Sequence, residues 1–193
     1  MNRPATRRSL IAQCGATAVE FSFAAIVFFI FVFGVIELAR AMYMWSTMVE
    51  VTRRAARFAS ATNFASPLAL ADVKRRAIFA DLPGGLPLRG DVSENNLLID
   101  YLNGSLAPVN PMPVCPEQNI INCNLDPEGD SCIRFVRVRL CVEGSGASCS
   151  RVEYVPIVGA DFFPGDRWLF PTFATVSPVA TLGYQPGIAG TCL

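Results

Sequence analysis

Histidine is absent from this 193-residue chain, and lysine occurs once, at Lys74. The first absence removes the commonest general base, the serine–histidine and cysteine–histidine dyads, and every histidine-containing metal site. The second leaves one amine for proton-transfer or covalent chemistry. Carboxylates remain, but no recognisable catalytic pair of them, so the chain reads as a non-enzyme without a cofactor. Charge is also scarce: charged residues make up 17% and the formal net charge is zero. A balanced chain gives no reason to expect binding driven by phosphate neutralisation, so nucleic acid is not an expected partner. Proline is missing between Pro4 and Pro67, and Gly15 and Gly34 are the only glycines in that interval. Nothing there breaks a helix.

Against these absences stands one excess. Hydrophobic residues reach 52%, and six of the fourteen Phe lie between Phe21 and Phe33. Residues 21–36, FSFAAIVFFIFVFGVI, carry no charge. With residues 16–19 before and 38–39 after, the stretch reaches membrane-spanning length, punctuated by Glu20 and Glu37. A span over about residues 18–39 is expected. Helical spacing continues beyond it, with Glu37 and Arg40 at i,i+3 and Glu50 and Arg54 at i,i+4. A helix over residues 16–61 would be roughly 69 Å long at about 1.5 Å per residue, so its outer half must pack on something else.

Seven cysteines divide as one and six. Cys14 precedes the apolar run; Cys115, Cys123, Cys132, Cys141, Cys149 and Cys192 follow it. An even set on one side of a membrane segment points to disulfides in an oxidising compartment, with pairing open. No pair has CxxC spacing, which argues against zinc. Asp126, Glu128 and Asp130 are spaced like the start of a calcium loop. However, Ser131 stands where the loop needs glycine, and no glutamate closes it. Ser66-Pro67 opens a second, amphipathic helix expected to about Ala80. Residues 97–102 read as a strand, 135–142 and 151–158 as a hairpin across a Gly/Ser-rich turn, and 173–182 as a further strand. Residues 103–132 read as a stapled loop. The fold class is therefore α+β: a long N-terminal transmembrane helix, a second helix and a small antiparallel β domain with disulfides.

The most informative stretch is RRSLIAQCGATAVEF. A short basic leader favours cytoplasmic retention of the N-terminus. A glycine offers a protease unhindered backbone, and cutting after Gly15 would make Ala16 a new amino terminus. Glu20 would then lie one helical turn away. A carboxylate in the membrane costs on the order of 2–3 kcal/mol unless paired, and that terminus, on the same or a neighbouring subunit, is its natural partner.

The run GATAVEFSFAAIVFFIFVFGVIELARAMY, continuing to RRAARFAS, resembles the opening of TadE-like pseudopilins. The resemblance covers about 45 residues. It implies a pilin-like fold, cleavage by a prepilin peptidase between Gly15 and Ala16, and an assembly role for Glu20 and Phe21. The implied product is a minor structural subunit of a Tad/Flp-type pilus or secretion apparatus used in adherence. Its partners would be other pilins or pseudopilins, the peptidase, the inner-membrane assembly platform and membrane lipid. Its domains would be a leader (1–15), a long helix (16–61) and a periplasmic or extracellular α+β domain (62–193), on a single-pass inner-membrane protein with a cytoplasmic N-terminus. The competing reading is a signal-anchored or secreted, disulfide-stabilised domain that binds a ligand or surface. Ala39-Arg40-Ala41 imitates a signal-peptide cleavage site, although Glu37 and Arg40 crowd that cut.

Overall fold

The computed structural model describes residues 14–79, 85–86, 89–142, 149–157 and 168–187. Helix α1 runs unbroken over Cys14–Ala61, 48 residues or about 72 Å at 1.5 Å per residue. Two compact units divide this helix near Met42. The first takes α1 up to Met42 together with Pro156 and Ile157; the second takes the rest of α1 and the sheets.

In the first unit no described residue of α1 is buried. Its phenylalanines meet mainly one another: Phe28 sets its edge on Phe29, and Phe29 stacks on Phe33 with centroids 6.0 Å apart. In the second unit the same helix acquires an inward face. Met44, Met48, Val51, Thr52, Ala55, Ala56, Ala59 and Ser60 are buried. Their spacing alternates threes and fours, which gathers them into one stripe on a 3.6-residue helix. The stripe narrows from methionine to alanine toward its end, so backbone can approach closely there.

That stripe faces a three-stranded antiparallel sheet in the order β3–β4–β7, formed by Leu97–Leu102, Phe135–Leu140 and Phe173–Pro178. Val136, Val138 and Leu140 alternate inward along the central strand. The inner face reaches α1 through the 3.0 Å hydrogen bond between the Thr52 and Thr175 hydroxyls and through Trp45, whose ring meets Phe173 edge-on at 5.6 Å. On the other face Asp100 Oδ2 accepts from Arg137 Nε at 3.0 Å and Arg139 Nε at 2.9 Å. Asp100 lies directly opposite Arg137. This cross-strand charge cluster fixes register more than it adds energy, since pairs this accessible contribute about 1 kcal/mol or less.

Two short ribbons complete the strands: β1 with β2 (Gly85–Leu86, Arg89–Ser93) and β5 with β6 (Glu153–Tyr154, Trp168–Leu169). Helix α2 spans Pro67–Ala77, opened by the Ser66 hydroxyl accepting from Ala69 N–H. The architecture is α+β, as expected, and the strand at 97–102 and the start of the last strand lie where they were read. The hairpin of 135–142 with 151–158 is corrected: β4 pairs with β3 on one edge and β7 on the other. Both its edges are thus occupied, and β5 turns to β6 instead. The supposed loop at 103–132 contains helix α3, Pro116–Leu125. Cys115 caps it with its sulfur, accepting from Gln118 N–H at 3.4 Å, and Pro116 occupies the first turn. Cysteine is not a recognised N-cap, so Pro116 and Glu117 were the only start signals the sequence offered.

The end of α1 is tied down by the chain's C-terminal region. The Ser60 carbonyl accepts from Ala180 N–H at 3.0 Å and Leu182 N–H at 3.1 Å. Gly183, at φ +81°, brings its backbone so near that a Cβ there would lie 2.6 Å from Asn63 N. Gly183→Ala combines left-handed strain with a backbone clash. It should lower the unfolding free energy by more than about 2 kcal/mol in a urea titration.

The Tyr101 ring packs on Phe64 at 5.6 Å, and its buried hydroxyl finds no hydrogen-bond partner among the described residues. Burial pushes its pKa well above the ordinary value. The folded chain therefore keeps the proton where the unfolded chain releases it, and stability from this residue is lost as pH rises above about 10. Tyr101→Phe should raise stability by about 1 kcal/mol at pH 7 and flatten the decline above pH 10, read from urea midpoints across pH.

Candidate functional site: the membrane helix and its carboxylates

Among the described residues one helix is long and apolar enough to cross a membrane. It covers Thr17–Ala61, and its most apolar 18-residue window has mean hydropathy 2.6 and no buried share. A soluble core helix of this composition would be covered by its own chain. This one is not.

Gly15 lies in the first turn of α1, exposed, with nothing near the position a Cβ would take. It is helical here, whereas the sequence reading wanted an accessible extended backbone. Ala16 is helical beside it. Glu20 is exposed and meets no partner among the described residues, and Phe21 next to it is 74% exposed.

Glu37 has a different environment. Its side chain is 17% exposed, Arg40 Nη1 lies 3.0 Å from its Oε1, and the Ile157 backbone N–H donates to the same oxygen at 3.2 Å. Sequence spacing reveals the Arg40 pair, but nothing in it could indicate a contact to a residue 120 positions away. So of two carboxylates bracketing the apolar run, one is held within the chain and the other is open.

Disulfides join Cys123 to Cys132 and Cys141 to Cys149. Cys115 is disulfide-bonded as well. Cys192 lies outside the described residues. The bridges tie α3 to the approach to β4, and the exit of β4 to residue 149. The three carboxylates with calcium-like spacing serve separate partners. Asp126 accepts from Glu128 N–H at 3.1 Å, Asp130 from Asn103 Nδ2 at 3.0 Å, and Glu128 pairs with Arg134 at 3.6 Å. They do not converge on a common point.

With this geometry in place, the decisive comparison concerns α1 alone. Residues 15–57 match the family model described as TadE-like protein. The chain carries a TadE-like N-terminal segment. That family consists of pilus structural components rather than enzymes, and the match covers 43 of the 193 residues. Both ends of the match fall inside α1, so the sheets and disulfides lie beyond the TadE-like segment. No curated protein and no solved structure matches the chain.

The Cys123–Cys132 and Cys141–Cys149 disulfides each close a short loop, with sequence separations of nine and eight. The chain-entropy relation gives roughly 2–3 kcal/mol for a loop of that size. Replacing Cys141 and Cys149 together by alanine should lower the unfolding free energy by about that amount, read from the shift in urea midpoint.

Proposed function

We propose that this chain is a minor pilin-like subunit for assembly of a Tad/Flp-type pilus or secretion apparatus in adherence. In this reading α1 anchors it as a single-pass protein of the inner membrane, with residues 1–15 as a cytoplasmic leader and residues 62–193 as a periplasmic or extracellular domain. A prepilin peptidase cuts between Gly15 and Ala16. The new amino terminus pairs with Glu20 of the same or a neighbouring helix, and Phe21 packs between subunits.

One observation carries the reading: among the described residues no residue of the apolar half of α1 is buried, and Glu20 near its start meets no partner. Uncovered apolar surface of this extent is satisfied by lipid before assembly and by neighbouring helices after it. A carboxylate in that setting needs a cation, and a released amino terminus four residues away lies about 6 Å along the helix. The disulfides suit an oxidising compartment on the far side of the membrane.

Intact mass and N-terminal sequencing of the membrane-extracted protein provide the test. Coexpression with the peptidase should yield a chain beginning at Ala16, and omission should leave residues 1–15 attached. Glu20→Ala should still be processed and inserted, yet fail to enter filaments in a shearing assay. A chain beginning at Met42 under both conditions would instead favour a released ligand-binding domain.

A further inference from the structure

Glu37 marks a depth. It follows directly on the uncharged run 21–36, and a carboxylate held within hydrocarbon costs about 2.5–3.5 kcal/mol. With its Arg40 partner 3.0 Å away, this pair belongs at the boundary between acyl chains and headgroups. The Ile157 N–H donates to Glu37 Oε1 at 3.2 Å, so the backbone at Ile157 is held at that same boundary. Pro156 and Ile157 also group with the apolar part of α1 rather than with the sheets.

The chemistry of this corner suits lipid rather than water. Pro156 has no N–H to satisfy, and the N–H of Ile157 is already taken by Glu37. Two consecutive residues therefore present no unmet donor, which removes the N–H part of the cost of bringing backbone toward a low-dielectric phase. The Ile157 side chain is nonetheless 72% exposed. We infer that the Pro156–Ile157 corner is a membrane-contact point, clasped to α1 by Glu37, with Ile157 seated in the lipid interface. The clasp gives the chain a second attachment to the bilayer surface, 120 residues along from the spanning helix. This inference rests on the membrane-anchored reading of α1.

The test uses the full chain reconstituted in vesicles of phosphatidylcholine and phosphatidylglycerol. Co-sedimentation of the parent chain with the vesicles reports on anchoring itself. Ile157→Trp then reports on the corner, with the emission of Trp45 and Trp168 subtracted by means of the parent chain. The indole introduced at position 157 should lose emission at least about twofold to lipids brominated near the headgroup, and respond weakly to aqueous iodide. Because tryptophan itself seeks interfaces, Leu125→Trp on exposed α3 serves as control and should show the opposite ranking. Glu37→Ala added to Ile157→Trp should open the clasp and shift quenching from lipid toward iodide.

A chain that fails to sediment with vesicles overturns the anchored reading and this inference together. A chain that sediments, but whose position-157 indole is quenched by iodide and not by brominated lipid, overturns only the clasp. Shielding from both quenchers that appears only when a second pilin is coexpressed would also overturn it, by showing a protein rather than lipid as the occupant.

Discussion

Everything in this molecule depends on one helix having to satisfy two different surroundings. Its first half offers phenylalanine, isoleucine and valine in all directions, and none of them is buried among the described residues. Its second half turns a narrow stripe of methionine, valine and alanine inward and leaves Arg53 and Arg57 exposed. The hydrogen-bonded backbone is indifferent to this change, because a helix satisfies its own N–H and C=O groups in either medium. Only the side chains must change, and they do so between Ile36 and Met44. The first buried residue of α1 is Met44, close to where the two compact units divide.

The sheet follows from that stripe. A face ending in Ala55, Ala56, Ala59 and Ser60 offers little side-chain volume of its own. Val136, Val138, Leu140 and Phe173 are buried on the facing side of the sheet, which reaches α1 through Thr175 and Phe173. The small residues also leave the last carbonyls of α1 within reach of other backbone, and the Ser60 oxygen takes two N–H groups from residues 180 and 182. Helix termination and the docking of residues near the end of the chain are thus one event. Gly183 is required for it, since only a residue without Cβ fits against Asn63 in that conformation.

Local patterns were legible in the sequence and pairings were not. The long helix could be read because its signal is strong: no proline, a charge-free run and i,i+3 or i,i+4 ion pairs. The alternation of Val136, Val138 and Leu140 against Arg137 and Arg139 identified a half-buried strand correctly. Its partners were misassigned, because alternation says which face is inward and nothing about which strand lies alongside. Proximity favoured residues 151–158, but a strand with alternating burial at the centre of a core needs neighbours on both edges, and β3 and β7 supply them from 33 to 43 residues away in either direction. Helix α3 escaped because ten residues rich in Asn and Gln have little apolar period, and its cap is a disulfide-bonded cysteine. At the candidate site, Gly15, Glu20 and the Glu37–Arg40 pair were legible as a local motif, while the hydrogen bond from Ile157 was not.

The two glutamates show what that missing contact changes. By sequence each borders the apolar run and each would carry the same desolvation penalty inside it, although only Glu37 has a basic residue one turn away, Arg40. By structure they diverge, because Glu37 acquires a guanidinium and a backbone donor whereas Glu20 has neither. A charge already compensated within its own subunit gains little from a neighbour, since a new partner must displace an existing one. A charge left open gains the whole of its pairing energy when a cation arrives. Glu37 is therefore suited to fixing this chain's own geometry at the membrane boundary. Under the proposed function, Glu20 is the carboxylate whose compensation would favour insertion of a further helix, since left uncompensated it makes the unassembled state the costly one.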